Sequence, residues 1–400
     1  MTDASPSQQD FDPSVWRLVG APLVARTGSG PLDGLTLAVK DLYAIAGHRV
    51  GAGNPTWLDE QQPCRDTAPV IATLLSHGAE VTGIARTDEF AYSLAGRNIH
   101  YGTPPNPAVP TGLSGGSTSG PASAVALGQA DIGLGTDTAG SVRVPASYLG
   151  LVGLRTTHGA VDASDVLPLA PSFDTVGWIT RDVATCRRVA EVLLPVDQRD
   201  RREPRPSRTL VLPDIEQGLD SDVAAAFAER RAGLIAAGHL PPAVPARIDP
   251  AELDAWANAF RVRQAHEAWR CHGRWIAAHP GALGPDIAAR FAAGARVTAT
   301  QAERAATVVA SARVKLRTLL DGAVLVMPST AGGAPDRDSD ATTIDNERTA
   351  TLRLTCLAGL VGAPALSLPF LHTPEGRPVG LCLVGAPGRD HDLLDVAAAL

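Results

Sequence analysis

The clearest pattern of apolar positions lies near the start of the chain, where it predicts a strand, a helix and a second strand in succession. Leu35 to Val39 form a short apolar run after a glycine, which predicts a buried strand that delivers Lys40 and Asp41 at its end. Between Thr67 and Gly78 the apolar positions recur at helical spacing, and the strand-like segment AEVTGIA follows. This part of the chain therefore favours a fold in which strands alternate with helices.

Two glycine- and serine-rich segments interrupt the regular pattern in the middle of the chain. The first, residues 100–120, combines several prolines and glycines and predicts an irregular loop. The predicted helix PASAVALGQA follows it, with Pro121 near its first turn. A short strand at Asp131 to Leu134 then leads into the second glycine-rich turn, which contains Ser141. The two loops therefore lie on either side of one helix.

The remainder of the chain continues the alternation. Strand and loop are expected up to Trp178, and Asp182 to Leu194 have the spacing of an amphipathic helix. Residues 215–321 are rich in Ala, Glu and Arg and favour several helices, including Gln301 to Leu320. A strand (AVLVMPST) comes next, and from Arg353 a helix and the strands PALSLPF and VGLCLVG complete the chain. This order predicts an α/β fold with an α/β/α layer architecture.

Composition suggests how the chain is divided. Residues 1–30 are polar and rich in Pro, Ser, Asp and Gly, which predicts a flexible N-terminal arm outside the fold. Residues 31–400 are expected to form a single domain, and RDRREPRPSR at 199–208 an exposed connector. The expected parts of that domain are core motifs at 32–180 and 322–400 and, between them, a helical substrate-pocket region at about 215–321.

Charge and apolar content exclude several classes of protein. A net charge of −7 opposes nucleic-acid binding, which depends on Lys and Arg side chains that neutralise phosphates. No apolar run reaches the roughly 18 residues of a membrane span, and the first residues lack the order of a secretory signal. We therefore expect a cytoplasmic protein that binds neither nucleic acid nor membrane. The five cysteines are scattered without a CxxC pair, which favours reduced thiols.

Lysine usage draws attention to one residue. Only two of the 35 basic residues are lysines, Lys40 and Lys315, so arginine is used almost wherever a positive charge suffices. Arginine cannot act as a base in proteins, whereas a buried lysine can lose its proton and do so. Lys315 lies on the polar face of a predicted helix and needs no special explanation. Lys40 is therefore a candidate for acid–base chemistry.

Other chemistries that use glycine-rich loops lack their motifs here. The chain contains no Gly-Lys pair for a P-loop, and no GxGxxG follows a strand in its first third. The window GSTSG has threonine at its centre, so the GxSxG elbow of Ser-His-Asp hydrolases is absent. His266, His272 and His279 lie near one another without carboxylate ligands at metal spacing, and we expect no metal.

What remains is a serine nucleophile activated by lysine, a known variant of the Ser-His-Asp arrangement. The segments GGSTSG at 115–120 and GTDTAGSVR at 135–143 place Ser117 and Ser141 24 positions apart in the sequence. Together with GLTLAVKD before them and GLVGLRTTHG and PLAPSFDTVGW after them, this pattern resembles the amidase signature family. It is similar to the branch that contains indole-3-acetamide hydrolase and the aryl-acetamide amidases.

The resemblance implies a fold, a reaction and three catalytic residues. The fold is one large mixed β-sheet inside the α/β/α sandwich, and residues 31–400 form the amidase domain. The reaction is hydrolysis of a small carboxamide to a carboxylic acid and ammonia or an amine, with no cofactor. Ser141 is implied as the nucleophile that forms an acyl-enzyme, Ser117 as a bridging serine and Lys40 as the base. The Gly116–Ser117 peptide bond is implied to be cis.

Other residues of the two loops are expected to have supporting roles. The backbone N–H groups expected to form the oxyanion hole are those of Thr138, Ala139, Gly140 and Ser141. The side chains expected to hold this loop are those of Asp137 and Arg143. The side chains expected to orient Ser117 and Lys40 are those of Thr136 and Ser119.

Two alternative functions stay open at this point. The family includes non-catalytic receptor or binding modules, which would lack the three catalytic residues present here. It also includes subunits of amidotransferase complexes, for which the chain is short. The partner that we expect is a small-molecule amide, and the sequence leaves open whether the protein is a homodimer.

Overall fold

A mixed β-sheet runs through the molecule, seen in a computed structural model that describes residues 11–195 and 206–400. Within those residues the strands are β1 Trp16–Val24, β2 Thr36–Lys40, β3 Glu80–Ala85, β4 Ile132–Thr136, β5 Val152–Arg155, β6 Val176–Thr180, β7 Arg208–Val211, β8 Ala243–Pro245, β9 Ala323–Pro328, β10 Ala365–His372 and β11 Pro378–Val384. Their spatial order is β1-β3-β2-β4-β6-β5-β10-β11-β9-β7-β8. The sheet is mixed because β2 is parallel to both neighbours, whereas β4 and β6 are antiparallel.

Helices connect the strands and cover the sheet. Within the described residues they are α1 Pro55–Glu60, α2 Pro69–Ser76, α3 Ser119–Ala126, α4 Arg143–Leu149, α5 Val183–Leu193, α6 Pro213–Glu216, α7 Ser221–Ala236, α8 Pro250–Ala278, α9 Pro285–Ala295, α10 Ala299–Leu320, α11 Ala341–Val361 and α12 Asp390–Ala397. The predicted helical region at about 215–321 is mostly helical, interrupted by the short strand β8.

Alternating side chains of the sheet belong to two separate apolar cores. In β9, Val324 and Val326 pack into a core that contains residues of α2, α5, α7 and α12. Leu325 and Met327 of the same strand pack into a second core, formed with α8, α10 and α11. This is the period of two expected of a strand, and it means that helices cover both faces of the sheet. The predicted α/β/α sandwich is confirmed.

The prediction of a loose arm over residues 1–30 is wrong for part of that segment. Residues 16–24 form β1, which pairs antiparallel with β3 at one edge of the sheet. Pro22 within this strand is tolerated because an edge strand leaves one row of N–H groups unpaired. Residues 1–10 lie outside the described part of the chain. So does most of the predicted connector at 199–208, whose last residue begins β7.

The central parallel strands define the position of the candidate site. Because β2 runs parallel to β3 and β4 and lies between them, the carboxyl ends of all three strands meet at one edge. Lys40 is the last residue of β2 and Thr136 the last of β4, as the apolar runs predicted to within two residues. Thr87 and Asp88 follow β3 at the same edge. The fold therefore brings together polar residues that are far apart in the chain.

Candidate active site

The centre of the site is the side chain of Lys40, which is fully buried. Its Nζ lies 2.9 Å from Oγ of Ser117, 2.9 Å from Oγ1 of Thr136 and 3.2 Å from Oγ1 of Thr118. All three partners are hydroxyl groups, which can bond to the amine in either protonation state. Strand β2 therefore places the amine among three hydroxyl groups that can hydrogen-bond to it whether or not it is charged.

Burial lowers the pKa of Lys40 from its usual 10.5 to about 7. The negative charges of Asp88, Asp137 and Asp174 oppose this shift, and Asp88 has the largest effect of the three. Desolvation dominates because none of these carboxylates is a hydrogen-bond partner of the amine. Near neutral pH a substantial fraction of Lys40 is therefore uncharged and able to accept a proton.

The loop that carries Ser117 is fixed by its backbone. The Gly116–Ser117 peptide bond is cis. The Ser117 carbonyl accepts hydrogen bonds from Oγ1 of Thr87, at 2.8 Å, and from the Asp88 N–H, at 3.3 Å. A Cβ atom added to Gly116 would lie 2.3 Å from Oδ2 of Asp88, so any other residue would force the Asp88 carboxylate or the loop to move. The segment after β3 thus holds the serine against Lys40.

Ser141 lies on the neighbouring loop and is almost completely buried. The Thr118 N–H donates to the Ser141 carbonyl at 3.2 Å, which ties the two glycine-rich loops together. Within the described part of the chain, the Ser141 hydroxyl makes no hydrogen bond, so no bond to Ser117 is formed in this state. Hydrogen bonds of this kind commonly tighten only when substrate binds.

The turn that contains Ser141 is organised by Asp137. Its carboxylate accepts hydrogen bonds from the Gly140 N–H at 2.9 Å, the Val142 N–H at 3.2 Å, and Nε and Nη2 of Arg143 at 3.0 and 2.9 Å. Arg155 Nη1 lies 3.1 Å from the same carboxylate. Burial opposes ionisation of Asp137, yet Arg143 and Arg155 hold the pKa of its carboxyl well below the usual range.

This arrangement changes the predicted set of oxyanion donors. The Gly140 N–H is engaged by Asp137 and does not point to a free position, contrary to the prediction. Among the described residues, the backbone N–H groups of Thr138, Ala139 and Ser141 have no protein partner. The loop thus offers three unpaired donors next to the Ser141 hydroxyl.

The two predicted orienting side chains have different positions. Thr136 contacts Lys40 directly, through the 2.9 Å hydrogen bond. Ser119 contacts neither Ser117 nor Lys40, because its Oγ donates to Oδ1 of Asp88 at 2.9 Å. Asp88 was missed by the sequence reasoning, and the available signal was a run of polar residues directly after β3 at the shared edge.

Two cavities adjoin this loop. The larger, about 370 Å³, reaches Thr136 and Thr138 and is walled by apolar side chains that include Leu42, Val161, Val166, Leu167 and Leu169. The smaller, about 20 Å³, contains Ala139 and Ser141 together with Gln264 and Arg290. Ala91 lines both. The predicted pocket region at about 215–321 thus contributes to the small cavity, whereas the large one is built mainly from residues 158–176.

The described residues contain neither a metal-binding cluster nor a helix that could span a membrane. In residues 11–195 and 206–400, no group of three or more His, Cys, Asp or Glu side chains is arranged to hold a metal ion. His272 packs against Trp57 and Phe90, and its Nε2 lies 2.7 Å from the Pro168 carbonyl. These contacts give His272 a role in packing. None of the described helices combines the length and apolar character that a bilayer span requires.

An α/β/α sandwich with a lysine and two serines at the edge of a mixed sheet has the features of a serine hydrolase without a catalytic histidine. A family model described as Amidase matches residues 23–394, and the chain belongs to this family. It is similar to Amidase 1 of Oryza sativa subsp. japonica, with 37% identity over 92% of this chain and 90% of the relative. The amidase signature family is thus confirmed, and the protein is a hydrolase acting on carbon–nitrogen bonds.

Two further comparisons extend this result. A solved structure described as "Crystal structure of amidase" superposes with a TM-score of 0.83 at 30% identity, covering 92% of this chain and 84% of that one. The chain is also 33% identical to the chloroplastic Outer envelope protein 64 of Arabidopsis thaliana, over 92% of this chain and 66% of that protein. The fold is therefore shared by proteins whose names indicate different roles.

Proposed function

We propose that the protein hydrolyses a small carboxamide through an acyl-enzyme on Ser141, with Ser117 and Lys40 as a proton relay. The observation that carries this proposal is the buried amine of Lys40, whose pKa is lowered to about 7, at 2.9 Å from Oγ of Ser117. A lysine that is neutral near pH 7 can serve as a general base, because the ideal catalytic pKa lies near the working pH.

The relay moves one proton in each direction. Neutral Lys40 takes the Ser117 hydroxyl proton while Ser117 takes that of Ser141, whose Oγ bonds to the amide carbon. The proton then returns through Ser117 to the amide nitrogen, the carbon–nitrogen bond breaks, and ammonia or an amine leaves. Water attacks the resulting ester by the same route and releases the carboxylic acid. No charge is left in the buried site at the end of the cycle.

The negative oxygen of the tetrahedral intermediate would lie against the unpaired N–H groups of Thr138, Ala139 and Ser141. Such donors stabilise the transition state because they are fixed before the reaction starts, and one donor is typically worth about 2.7–4 kcal/mol. Asp137 supports this arrangement through its hydrogen bonds to the same turn.

The large cavity favours a substrate with an apolar part. Its volume of about 370 Å³ and its mainly aliphatic walls suit a hydrophobic substituent that extends from the amide. Arylacetamides such as phenylacetamide and indole-3-acetamide are therefore suitable first substrates. Differences between related amides depend on a few contacts in this cavity.

The test compares variants of the only two lysines. We expect Ser141→Ala and Lys40→Arg each to lower kcat/KM on phenylacetamide by at least about a thousandfold, because they remove the nucleophile and the base. Lys315→Arg is the matched control, since Lys315 is partly exposed and pairs with Glu252. Full activity of Lys40→Arg, with circular dichroism matching the wild type, would refute the relay.

A non-catalytic role as a binding or receptor module is the second candidate, and it is kept because the chain is also similar to Outer envelope protein 64, whose name indicates a membrane location and no enzyme activity. Failure of the wild type to hydrolyse any of a broad panel of primary amides would support that role over ours. We also propose a cytoplasmic location and a small-molecule partner, without nucleic acid or membrane, on the basis of charge and composition. Measurement of the molecular mass in solution would show whether the protein forms a homodimer or assembles as an amidotransferase subunit.

A further inference from the structure

The small cavity at Ser141 has an unusual lining for its size. Its volume is about 20 Å³, close to the space that one or two water molecules need. The guanidinium-bearing side chains of Arg290 and Arg348 line it, together with Tyr92 and Gln264. An apolar ring is too large for this space, so only a small polar group can enter it, and a carboxylate would need a slight shift of the lining side chains. Two cations therefore share one small cavity with the candidate nucleophile.

The nearest carboxylates that act on Arg290, those of Asp286 and Asp345, form no direct ion pair with it. Nη1 of Arg290 donates to the Tyr92 carbonyl at 2.6 Å, and in the described part of the chain Arg290 forms no ion pair. Burial lowers the pKa of this guanidinium and the positive charge of Arg348 lowers it further, while the negative charges of Asp286 and Asp345 oppose this shift. A largely buried charge without a partner is unfavourable, and such groups are normally paired. Arg290 is thus a cation in the same cavity as Ser141, with no carboxylate bonded directly to it among the described residues.

Arg348 adds a second positive charge from a different helix. Its Nε forms an ion pair with Oδ1 of the exposed Asp345 at 2.9 Å, which compensates part of its charge, and about one fifth of the Arg348 side chain is exposed. Both arginines also influence the Tyr92 hydroxyl, whose pKa is raised to about 12 by burial and partly lowered by the two cations. Like charges repel more strongly at a partly desolvated site, and an anion placed between them removes this repulsion.

We propose that the substrate carries a carboxylate that binds Arg290 and Arg348 in this cavity while its carboxamide carbon lies against Ser141. The inference rests on the proposed amide hydrolysis and narrows its substrate class to monoamides of dicarboxylic acids and related amide–carboxylate compounds. Arginine is suited to this role because its planar group binds a carboxylate through two parallel hydrogen bonds. An apolar remainder of the substrate would extend into the cavity of about 370 Å³.

The first experiment compares succinamate with butyramide, which has the same carbon chain but a methyl group in place of the carboxylate. We expect kcat/KM of the wild type to be at least about 30-fold higher on succinamate, the size of a charge-assisted hydrogen bond. In Arg290→Met that advantage should be lost, mainly through a higher KM for succinamate. Arg348→Met should act in the same direction and does not remove the Tyr92 contact.

Arg296→Met is the matched control, because Arg296 is exposed at the end of the same helix, α9. Equal turnover of the two substrates by the wild type would overturn the inference and leave the proposed amide hydrolysis intact. So would equal losses on both substrates in Arg290→Met. If no amide is turned over, calorimetric titration with succinamate decides: binding that Arg290→Met abolishes supports the anion site, and absence of binding overturns it.

Discussion

Ser119 and Asp88, which are 31 residues apart, form a buried hydrogen bond of 2.9 Å that links the start of α3 to the segment after β3. The same carboxylate accepts the Gly96 N–H at 3.0 Å and lies against the backbone of Gly116. Its negative charge also raises the pKa of Lys40 against the effect of burial. Asp88 is therefore a positioning residue that acts on both the geometry and the charge of the site.

Replacement of this charge gives the first prediction. Asp88→Asn removes a negative charge that favours protonated Lys40, so the pKa of Lys40 should fall further. The acid limb of the kcat/KM profile should then move to lower pH, by on the order of one unit. Ser119→Ala is the control, because it removes the hydrogen bond to Asp88 but keeps the negative charge. The acid limb of its kcat/KM profile should shift much less. Identical profiles for both variants and the wild type would argue against this electrostatic role.

The wild-type pH profile is the second prediction. Since burial lowers the pKa of Lys40 to about 7, the active neutral amine is lost as the pH falls below that value. We expect kcat/KM to rise by about tenfold per pH unit below the limb and to level off above it. Circular dichroism over the same range separates this titration from acid unfolding. A rate that is constant from pH 5 to pH 9 is inconsistent with a lysine base.

Local sequence patterns predicted the elements that carry the site, but not the contacts between them. The apolar run before Lys40 specified a strand end because a buried strand needs little beyond its own side chains. The role of Asp88 and the loss of the Gly140 donor depend on contacts that only the folded loops define. The strand at 16–24 was missed because it is a half-exposed edge strand with a glycine and a proline inside it.

The packing at Gly116 gives the third prediction. In Gly116→Ala the new methyl group would lie 2.3 and 2.6 Å from the two carboxylate oxygens of Asp88, so the loop or the carboxylate must move. Since Ser117 must stay close to Lys40, we expect kcat to fall by at least about a hundredfold, as misplacement by 1 Å can cost that much. Steady-state kinetics on a primary amide would measure this.

The matched control for this substitution is Gly233→Ala in α7, where an added Cβ meets no atom within 4 Å. Alanine is the better helix former, so this variant should keep full activity and gain up to about 1 kcal/mol of stability. A kcat of Gly116→Ala close to that of the wild type would contradict this prediction, because it would mean that the loop can accept a methyl group without displacing Ser117.

The buried pairing of Asp137 with Arg143 and Arg155 leads to the fourth prediction, which concerns stability. All three side chains are completely buried, so Asp137→Asn would leave two guanidinium groups without their shared counter-charge. Breaking a buried pair in this way typically costs about 3–5 kcal/mol in the free energy of unfolding. The midpoint of urea unfolding should fall accordingly.

Asp33→Asn is the control, because Asp33 and Arg26 are about half exposed and such pairs contribute about 0–1 kcal/mol. Equal, small losses in both variants would mean that the turn around Ser141 is held by its backbone alone, and that Asp137 does not organise it.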